Sequence, residues 1–274
     1  MYQYSRRYVG PVEAVILDLA GTCVDFGSLA PIRAFQQLFQ EHGVPISESE
    51  ARAPMGTEKR EHIRQLLAMP RIAAEWTAQH GAADEAVIDR LYHAFEPIQI
   101  AAIGQRSQLI PGLLEAQEYC QQQDIKIGVN SGYSRSMLNA MLPALAEQGF
   151  VPASVVCATE VPNGRPYPHM SLKGMLELAI GNVQACVKVD DTLTGLEEGL
   201  AAGMWTVGVA VSGNEIGLDQ EQWDSLPEDE QLRRSAAARQ RMLRCGAHYA
   251  IDSVAELPGV LADIEHRLLC GEQP

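Results

Sequence analysis

The chain has 274 residues, 46% of them hydrophobic, and a formal net charge of -14 at pH 7. That length can bury a large core plus an insertion, the apolar content excludes a disordered chain, and the acidic surplus, which repels phosphate backbones, excludes DNA or RNA as a partner. The same charge repels a small anionic substrate, so an anion site has to be built locally from a metal ion, a few basic side chains and helix N-termini.

In chain order, Arg6 and Arg7 precede only a short apolar run, so no secretory leader is expected, and no later stretch is long enough to span a membrane. The run Ala14 to Leu17 reads as a buried strand that delivers Asp18 to the turn Leu19-Ala20-Gly21-Thr22, presenting a carboxylate as a nucleophile to a phosphoryl group. From about Leu29 to about Gln108 no strand is expected. Helical periodicity runs through Ile32 to His42, Lys59 to Ala68 and Val87 to Ile103, with Thr57 as the expected N-cap of the second helix. Pro111-Gly112 marks the return to the sheet. Strand-like runs then follow at Ile125 to Val129, Ser154 to Ala158, Ala185 to Val189 and Thr206 to Val211, with connector helices at Leu113 to Gln123, Ser134 to Gln148 and Met170 to Ala179.

This alternation implies an α/β fold, a doubly wound parallel sheet wrapped by helices. Residues 1–28 and 109–274 form the expected core domain, and 29–108 an inserted helical cap. Asp18, Ser131 and Asp190-Asp191 all fall at strand ends, where open parallel sheets bind ligands, and an insertion leaving from that edge would cover them as a lid. The six cysteines, Cys23, Cys120, Cys157, Cys186, Cys245 and Cys270, form no C-x-x-C pair and read as reduced, buried thiols of a cytosolic protein.

The segments DLAGT (Asp18 to Thr22), NSG (Asn130 to Gly132), GRPYP (Gly164 to Pro168) and VDDT (Val189 to Thr192) resemble, in order and placement, the four motifs of the haloacid dehalogenase-like hydrolases. The resemblance implies a Rossmann-like core in which Asp18 attacks phosphorus, Ser131 donates a hydrogen bond to a phosphoryl oxygen and Arg165 stabilises charge on the transferring group. It also implies Mg²⁺ held by Asp18, the backbone carbonyl of Ala20, and Asp191 with Asp190 beside it, an oxygen-rich set suited to a hard cation. Each residue also has a plainer reading: a turn-capping serine, a surface arginine beside a Pro-rich turn, and an N-cap role for Asp190 or Asp191.

Phosphatases of this superfamily usually carry a second Asp two residues after the nucleophile as general acid and base, where this chain has Ala20. The chain has four lysines among its 21 basic residues, so a lysine in the cap points to chemistry that arginine cannot do, namely Schiff-base formation by an amine of lowered pKa. The alternative for Lys59 is a solvated residue on the charged first turn Glu58-Lys59-Arg60-Glu61. The segments PMGTEKREHIR (Pro54 to Arg64), VDFGSLAP (Val24 to Pro31), VPNGRPYP (Val161 to Pro168) and GMWTVGV (Gly203 to Val209) resemble the phosphonoacetaldehyde hydrolase branch of the superfamily, over about Val12 to Leu268.

That resemblance implies cleavage of the carbon-phosphorus bond of phosphonoacetaldehyde, a step of phosphonate degradation, through a Lys59 Schiff base and an Asp18 aspartyl-phosphate. It places Met55 and His62 near the Schiff base, with His62 one helical turn from Lys59 as a proton shuttle or, more plainly, a helix-surface residue. Gly132 and Tyr133 fall near the phosphoryl pocket, and a cytosolic homodimer joined through the cap is expected. Leu19 stands where the branch usually has Trp, and Gly195 where many of the wider superfamily have a further Asp. A phosphomonoesterase or phosphomutase on the same scaffold, and a non-catalytic phosphonate-binding relative, are the alternatives.

Overall fold

A computed structural model describes residues 7–274, so Arg6 lies outside the described residues. Six short strands form one parallel sheet in the order β3-β2-β1-β4-β5-β6: β1 (Ala14–Leu17), β2 (Lys126–Ser131), β3 (Ser154–Cys157), β4 (Cys186–Asp190), β5 (Trp205–Val209) and β6 (Tyr249–Ile251). The strands read as continuous apolar runs because helices cover both faces. In β1, Ala14 and Ile16 pack into one cluster with Met175 and Leu178, while Val15 and Leu17 pack into another with Leu113 and Leu261.

Helices α1 (Leu29–Glu41), α2 (Glu48–Arg52), α3 (Lys59–Ala68), α4 (Pro70–His80) and α5 (Glu85–Gln105) all fall between β1 and β2. They pack on one another, α1 on α2 and α5, and α3 on α4 and α5, around Phe35, Phe39, Trp76 and Phe95. The remaining helices are α6 (Leu113–Gln122), α7 (Arg135–Glu147), α8 (His169–Glu177), α9 (Leu193–Ala202), α10 (Gln220–Asp224), α11 (Glu228–Cys245) and α12 (Leu257–Leu269). On one face α8 lies on β1 to β3, α9 on β4 and β5, and α11 on β5 and β6; α6 lies on β2 beside α12.

The register gathers the strand ends. Leu17 pairs with Val129 on one side and Val189 on the other, and the Asp18 amide continues the ladder by donating to the Val189 carbonyl at 2.9 Å. Connections run from β1 outward to β3, then cross back to β4, so the strand order reverses at β1. The crevice beyond β1 and β4 is where such sheets hold ligands.

Three expectations need correction. Glu58, not Thr57, caps α3: its carboxylate accepts from the amides of Arg60 and Glu61 at 2.9 Å each, while the Thr57 hydroxyl donates to the Pro54 carbonyl at 2.7 Å. Cys270 is exposed and Cys245 partly so; the other four cysteines are buried and all six are free thiols. The sheet gains a sixth strand, β6, too short to show a period, and α4, α11 and α12 are further helices. Among the described residues, no helix is long and apolar enough to cross a membrane.

Candidate active site

The end of β1, the end of β2, the loop before α8 and the end of β4 converge on a small cavity of about 20 Å³ lined by Asp18, Ala20, Ser131, Arg165 and Thr192 from the core and by Ser28, Pro31, Met55, Gly56 and Lys59 from the insertion and its first linker, with Gly132 and Tyr133 completing the wall. That is room for about one water molecule. The insertion closes directly on the strand ends: a Cβ added to Gly132 would stand 2.6 Å from the Thr57 carbonyl oxygen, so only glycine permits the approach. Across the same contact the Thr194 hydroxyl donates to the Met55 carbonyl at 3.0 Å.

Asp18 is 5% exposed. Burial raises its pKa to about 6, against the pull of Arg165. Arg165, in the loop before α8, is buried rather than a surface residue, and it donates through Nη2 to Asp18 Oδ1 and to Asn130 Oδ1 at 2.7 Å each. Burial works against its charge, but Asp190, Asp18 and Glu198 outweigh burial and hold its pKa well above the ordinary guanidinium value. Among the described residues its Nη1 makes one hydrogen bond, at 3.4 Å to the Gly56 carbonyl. Ser131, the last residue of β2, accepts from the Tyr133 amide at 3.3 Å and lines the cavity, so its hydroxyl can donate into it.

Asp190 and Asp191 differ sharply. Asp190 pairs with Lys188 at 2.9 Å and Arg165 at 3.0 Å, and accepts from the Thr192 amide and hydroxyl; burial alone would raise its pKa, but those two cations bring it below the ordinary carboxylate value. The plainer reading fails for both residues, because the N-cap of α9 is Thr192; Asp190 instead holds that cap residue in place. Among the described residues Asp191 accepts only from Asn214 N at 2.8 Å and Thr22 Oγ1 at 3.4 Å, and burial, Asp18 and Asp190 push its pKa well up. Gly195 is glycine because any Cβ there would sit 2.0 Å from the Asp190 carboxyl carbon, leaving no room for the further Asp.

The donor atoms of Asp18, Asp190 and Asp191 lie within 4.8 Å of one another. At an effective dielectric of about 20 each such pair repels by on the order of 3 kcal/mol. Four buried carboxylates, these three and Glu198, face two buried cations paired with them, Arg165 and Lys188; all four can ionise together only with further positive charge, and without it Asp191 is pushed toward its protonated form. A divalent cation held by oxygen ligands supplies that charge and fits the donor-poor surroundings of Asp191.

Lys59 is 3% exposed, not solvated. No hydrogen bond or ion pair reaches its Nζ among the described residues; the amine lies 5.2 Å from the Tyr133 ring centroid and 5.8 Å from that of Phe35. Burial lowers its pKa to about 8, partly opposed by Asp18. Tyr133, expected by the phosphoryl group, thus puts its ring beside the amine. His62 is fully buried behind the cavity wall rather than on the helix surface: it stacks on Phe35 at 3.8 Å and bonds through Nε2 to the Ala51 carbonyl at 2.9 Å. Burial, then the Lys59 charge, holds its pKa well down, so it is a neutral imidazole donating from Nε2.

Sequence reading passed over Ser28 and Thr192, which line the cavity, and Asn130, Lys188 and Glu198 behind it. Asn130 accepts from Arg165 and Lys188 through Oδ1, at 2.7 Å each, and donates through Nδ2 to Glu198 at 2.9 Å and Ser171 at 3.1 Å. Their signal in the sequence is weak: polar side chains on β2, β4 and α9 stand out only once the buried face of each element is known.

The Rossmann-like sheet and the carboxylate-lined crevice are those of a phosphoryl-transfer hydrolase. A profile of the haloacid dehalogenase-like hydrolases matches residues 12–203, and the chain belongs to that family. Within it, the chain is 57% identical over 274 residues to the phosphonoacetaldehyde hydrolase of Hahella chejuensis, covering 100% of this chain and 93% of that one. It is 47% identical over 264 residues to that of Paraburkholderia xenovorans, covering 96% and 99%. A crystal structure of a phosphonoacetaldehyde hydrolase-like protein from Oleispira antarctica superposes with a TM-score of 0.98 at 53% identity, over the whole of both chains.

Proposed function

We propose that this enzyme hydrolyses phosphonoacetaldehyde to acetaldehyde and phosphate, with Lys59 as Schiff-base lysine and Asp18 as phosphoryl acceptor. The observation that carries the reading is an unpaired, desolvated amine sharing one cavity with a carboxylate at a phosphoryl-transfer strand end. Ala20 fits the same chemistry, because a carbon leaving group has no ester oxygen for an acid at that position to protonate. A phosphomonoesterase or phosphomutase would lack its proton donor there.

The unprotonated Lys59 Nζ adds to the aldehyde carbon and expels water, giving an iminium. An Asp18 carboxylate oxygen then attacks phosphorus in line as the carbon-phosphorus bond breaks, and the electron pair of that bond moves onto carbon and into the iminium as an enamine. Protonation and hydrolysis of the enamine release acetaldehyde and restore Lys59, and water opens the aspartyl-phosphate. Arg165 Nη1 and the Ser131 hydroxyl donate to phosphoryl oxygens. Asp18, Asp191 and the Ala20 carbonyl would hold Mg²⁺, with Asp190 kept beside them by Lys188 and Arg165. When bound, the ion neutralises charge between the anionic nucleophile and the anionic phosphonate. Met55 and Tyr133 enclose the amine, and His62 would relay protons from behind the wall only through a water or a small shift of α3.

The cavity is too small for any phosphonate, so residues 29–108 must act as a lid that opens to admit substrate. From the resemblance to the phosphonoacetaldehyde hydrolases we also infer a homodimer, which light scattering on the purified enzyme would test.

The deciding experiment is borohydride added during turnover with phosphonoacetaldehyde and Mg²⁺, while acetaldehyde and phosphate are assayed together. Both products should appear in equal amounts, and mass spectrometry should find a reduced two-carbon or phosphonylated adduct on Lys59; turnover without an adduct would refute the Schiff base. Trapping should depend on pH. An amine titrating at about 8 is roughly one-eleventh neutral at pH 7 and ten-elevenths neutral at pH 9, so the initial trapping rate should rise about tenfold across that span and level off above it. A rate still climbing steeply past pH 10 would mean that burial does not lower this pKa.

A further inference from the structure

Arg165 reaches the nucleophile from a loop without regular structure, between β3 and α8, so its aim has to come from side-chain anchors. The one on its Nε edge is Glu198, a fully buried residue of α9 whose Oε2 accepts from Nε at 2.9 Å. Glu198 is itself fixed on the other side: its Oε1 accepts from the Ser171 amide at 2.8 Å, the Ser171 hydroxyl at 2.8 Å and Asn130 Nδ2 at 2.9 Å. Glu198 is absent from the cavity wall, so it touches no substrate. Without an acceptor on Nε, the guanidinium would be free to turn its Nη edge wholly onto Asp18 and Asp190, which already lie 2.7 and 3.0 Å from Nη2. That would tie up the nucleophile and withdraw Nη1 from the phosphoryl oxygens.

We propose that Glu198 is a positioning residue for Arg165: held by α8 and β2, it fixes the guanidinium by its Nε edge so that Nη1 stays free for the transferring phosphoryl group. The inference rests on the phosphoryl transfer assigned above but not on the substrate being a phosphonate. It explains why a helix packed into the core keeps a carboxylate that costs desolvation energy there.

The test is a double-mutant cycle. Glu198→Gln keeps the size of the side chain and an oxygen for Ser171 and Asn130, but turns an NH₂ toward the Arg165 Nε–H. It should lower kcat by about 10²-fold, the usual cost of one misdirected transition-state donor, with KM within about threefold and borohydride trapping at Lys59 retained. Arg165→Lys removes the Nε contact altogether, so adding Glu198→Gln to it should lower kcat by less than about threefold more. A further 10²-fold loss in the double variant, or an unchanged kcat in the single one, overturns the proposal. If Glu198→Gln does not fold, Ser171→Ala loosens the same carboxylate from behind and should lower kcat by about three- to tenfold, again without adding to Arg165→Lys; additivity there also counts against it. The cycle is run on phosphonoacetaldehyde or, if the unmodified enzyme releases no phosphate from it, on a phosphate monoester. The first failure counts against the substrate, while the cycle still reads the coupling of Glu198 to Arg165.

Discussion

Lys59→Arg should abolish acetaldehyde release, with a loss of at least about 10⁴-fold, equivalent to about 5.5 kcal/mol of barrier, and should end borohydride labelling. A guanidinium keeps the positive charge but stays protonated and cannot condense with an aldehyde; it also has no space in a cavity of about 20 Å³. Lys59→Met separates chemistry from folding. A buried lysine with its pKa lowered to about 8 binds its proton less tightly in the folded chain than in the unfolded one. The cost is therefore fully present below pH 8 and disappears as pH rises from about 8 to about 10.5, where only the unfolded chain still holds the proton. At pH 7 the deficit is on the order of 3 kcal/mol. Lys59→Met should accordingly raise stability by roughly 1 to 3 kcal/mol while eliminating turnover, and the gain should shrink above pH 9. Thermal unfolding at pH 7 and pH 10 checks this; a destabilised Met variant would mean that the amine supports the fold instead of being strained by it.

How far the site could be read from the chain depended on where its side chains point. Asp18, Ser131 and Asp191 stand at or next to strand ends, and strand ends in a parallel sheet meet at one edge whatever the loops do; Arg165 lies in the loop between β3 and α8, and only the family resemblance points to it. Lys59 is singled out by the chain's scarcity of lysine, but only the resemblance of the segment Pro54 to Arg64 weighs against a solvated residue. Its burial was not legible: Glu58-Lys59-Arg60-Glu61 looks solvated, and only packing of the insertion on Tyr133 removes the amine from water. His62 shows the same limit. Its spacing from Lys59 fixes a helix face, but whether the ring meets the cavity or Phe35 depends on how α1 crosses α3.

Asn130, Lys188 and Glu198 were missed for a different reason. Each lies on an apolar element facing inward, where a polar side chain is an anomaly only if the element's buried face is known. Glu198 sits beside Glu197 on α9, and sequence alone does not say which of the two faces the core; the fold shows Glu198 fully buried and Glu197 not among the buried residues. The same uncertainty hid α11, whose buried positions are Ser235, Ala238 and Met242 on an otherwise charged helix, and β6, which has three residues and one buried position.

Asp18→Asn should stop phosphate release by at least about 10⁴-fold while leaving Schiff-base formation intact. The amide keeps the shape and the Oδ1 acceptor used by Arg165 at 2.7 Å, but it cannot take up the phosphoryl group as a mixed anhydride. Lys59 needs only a neutral amine and the aldehyde. Borohydride added with phosphonoacetaldehyde should therefore still label Lys59 in Asp18→Asn, now with the phosphonyl group retained on the adduct; labelling lost together with phosphate release would mean that the two residues do not act in separate steps. The variant should also report on the cation. Removing one of three carboxylates whose oxygens lie within 4.8 Å relieves repulsion on Asp191, so the metal-free variant should melt higher than the metal-free parent, with little dependence on salt because the group is buried. Stabilisation by added Mg²⁺ should shrink correspondingly, because the charge that the ion offsets has been reduced. An undiminished Mg²⁺ response would place the cation away from Asp18 and leave Asp191 to hold it with other oxygens.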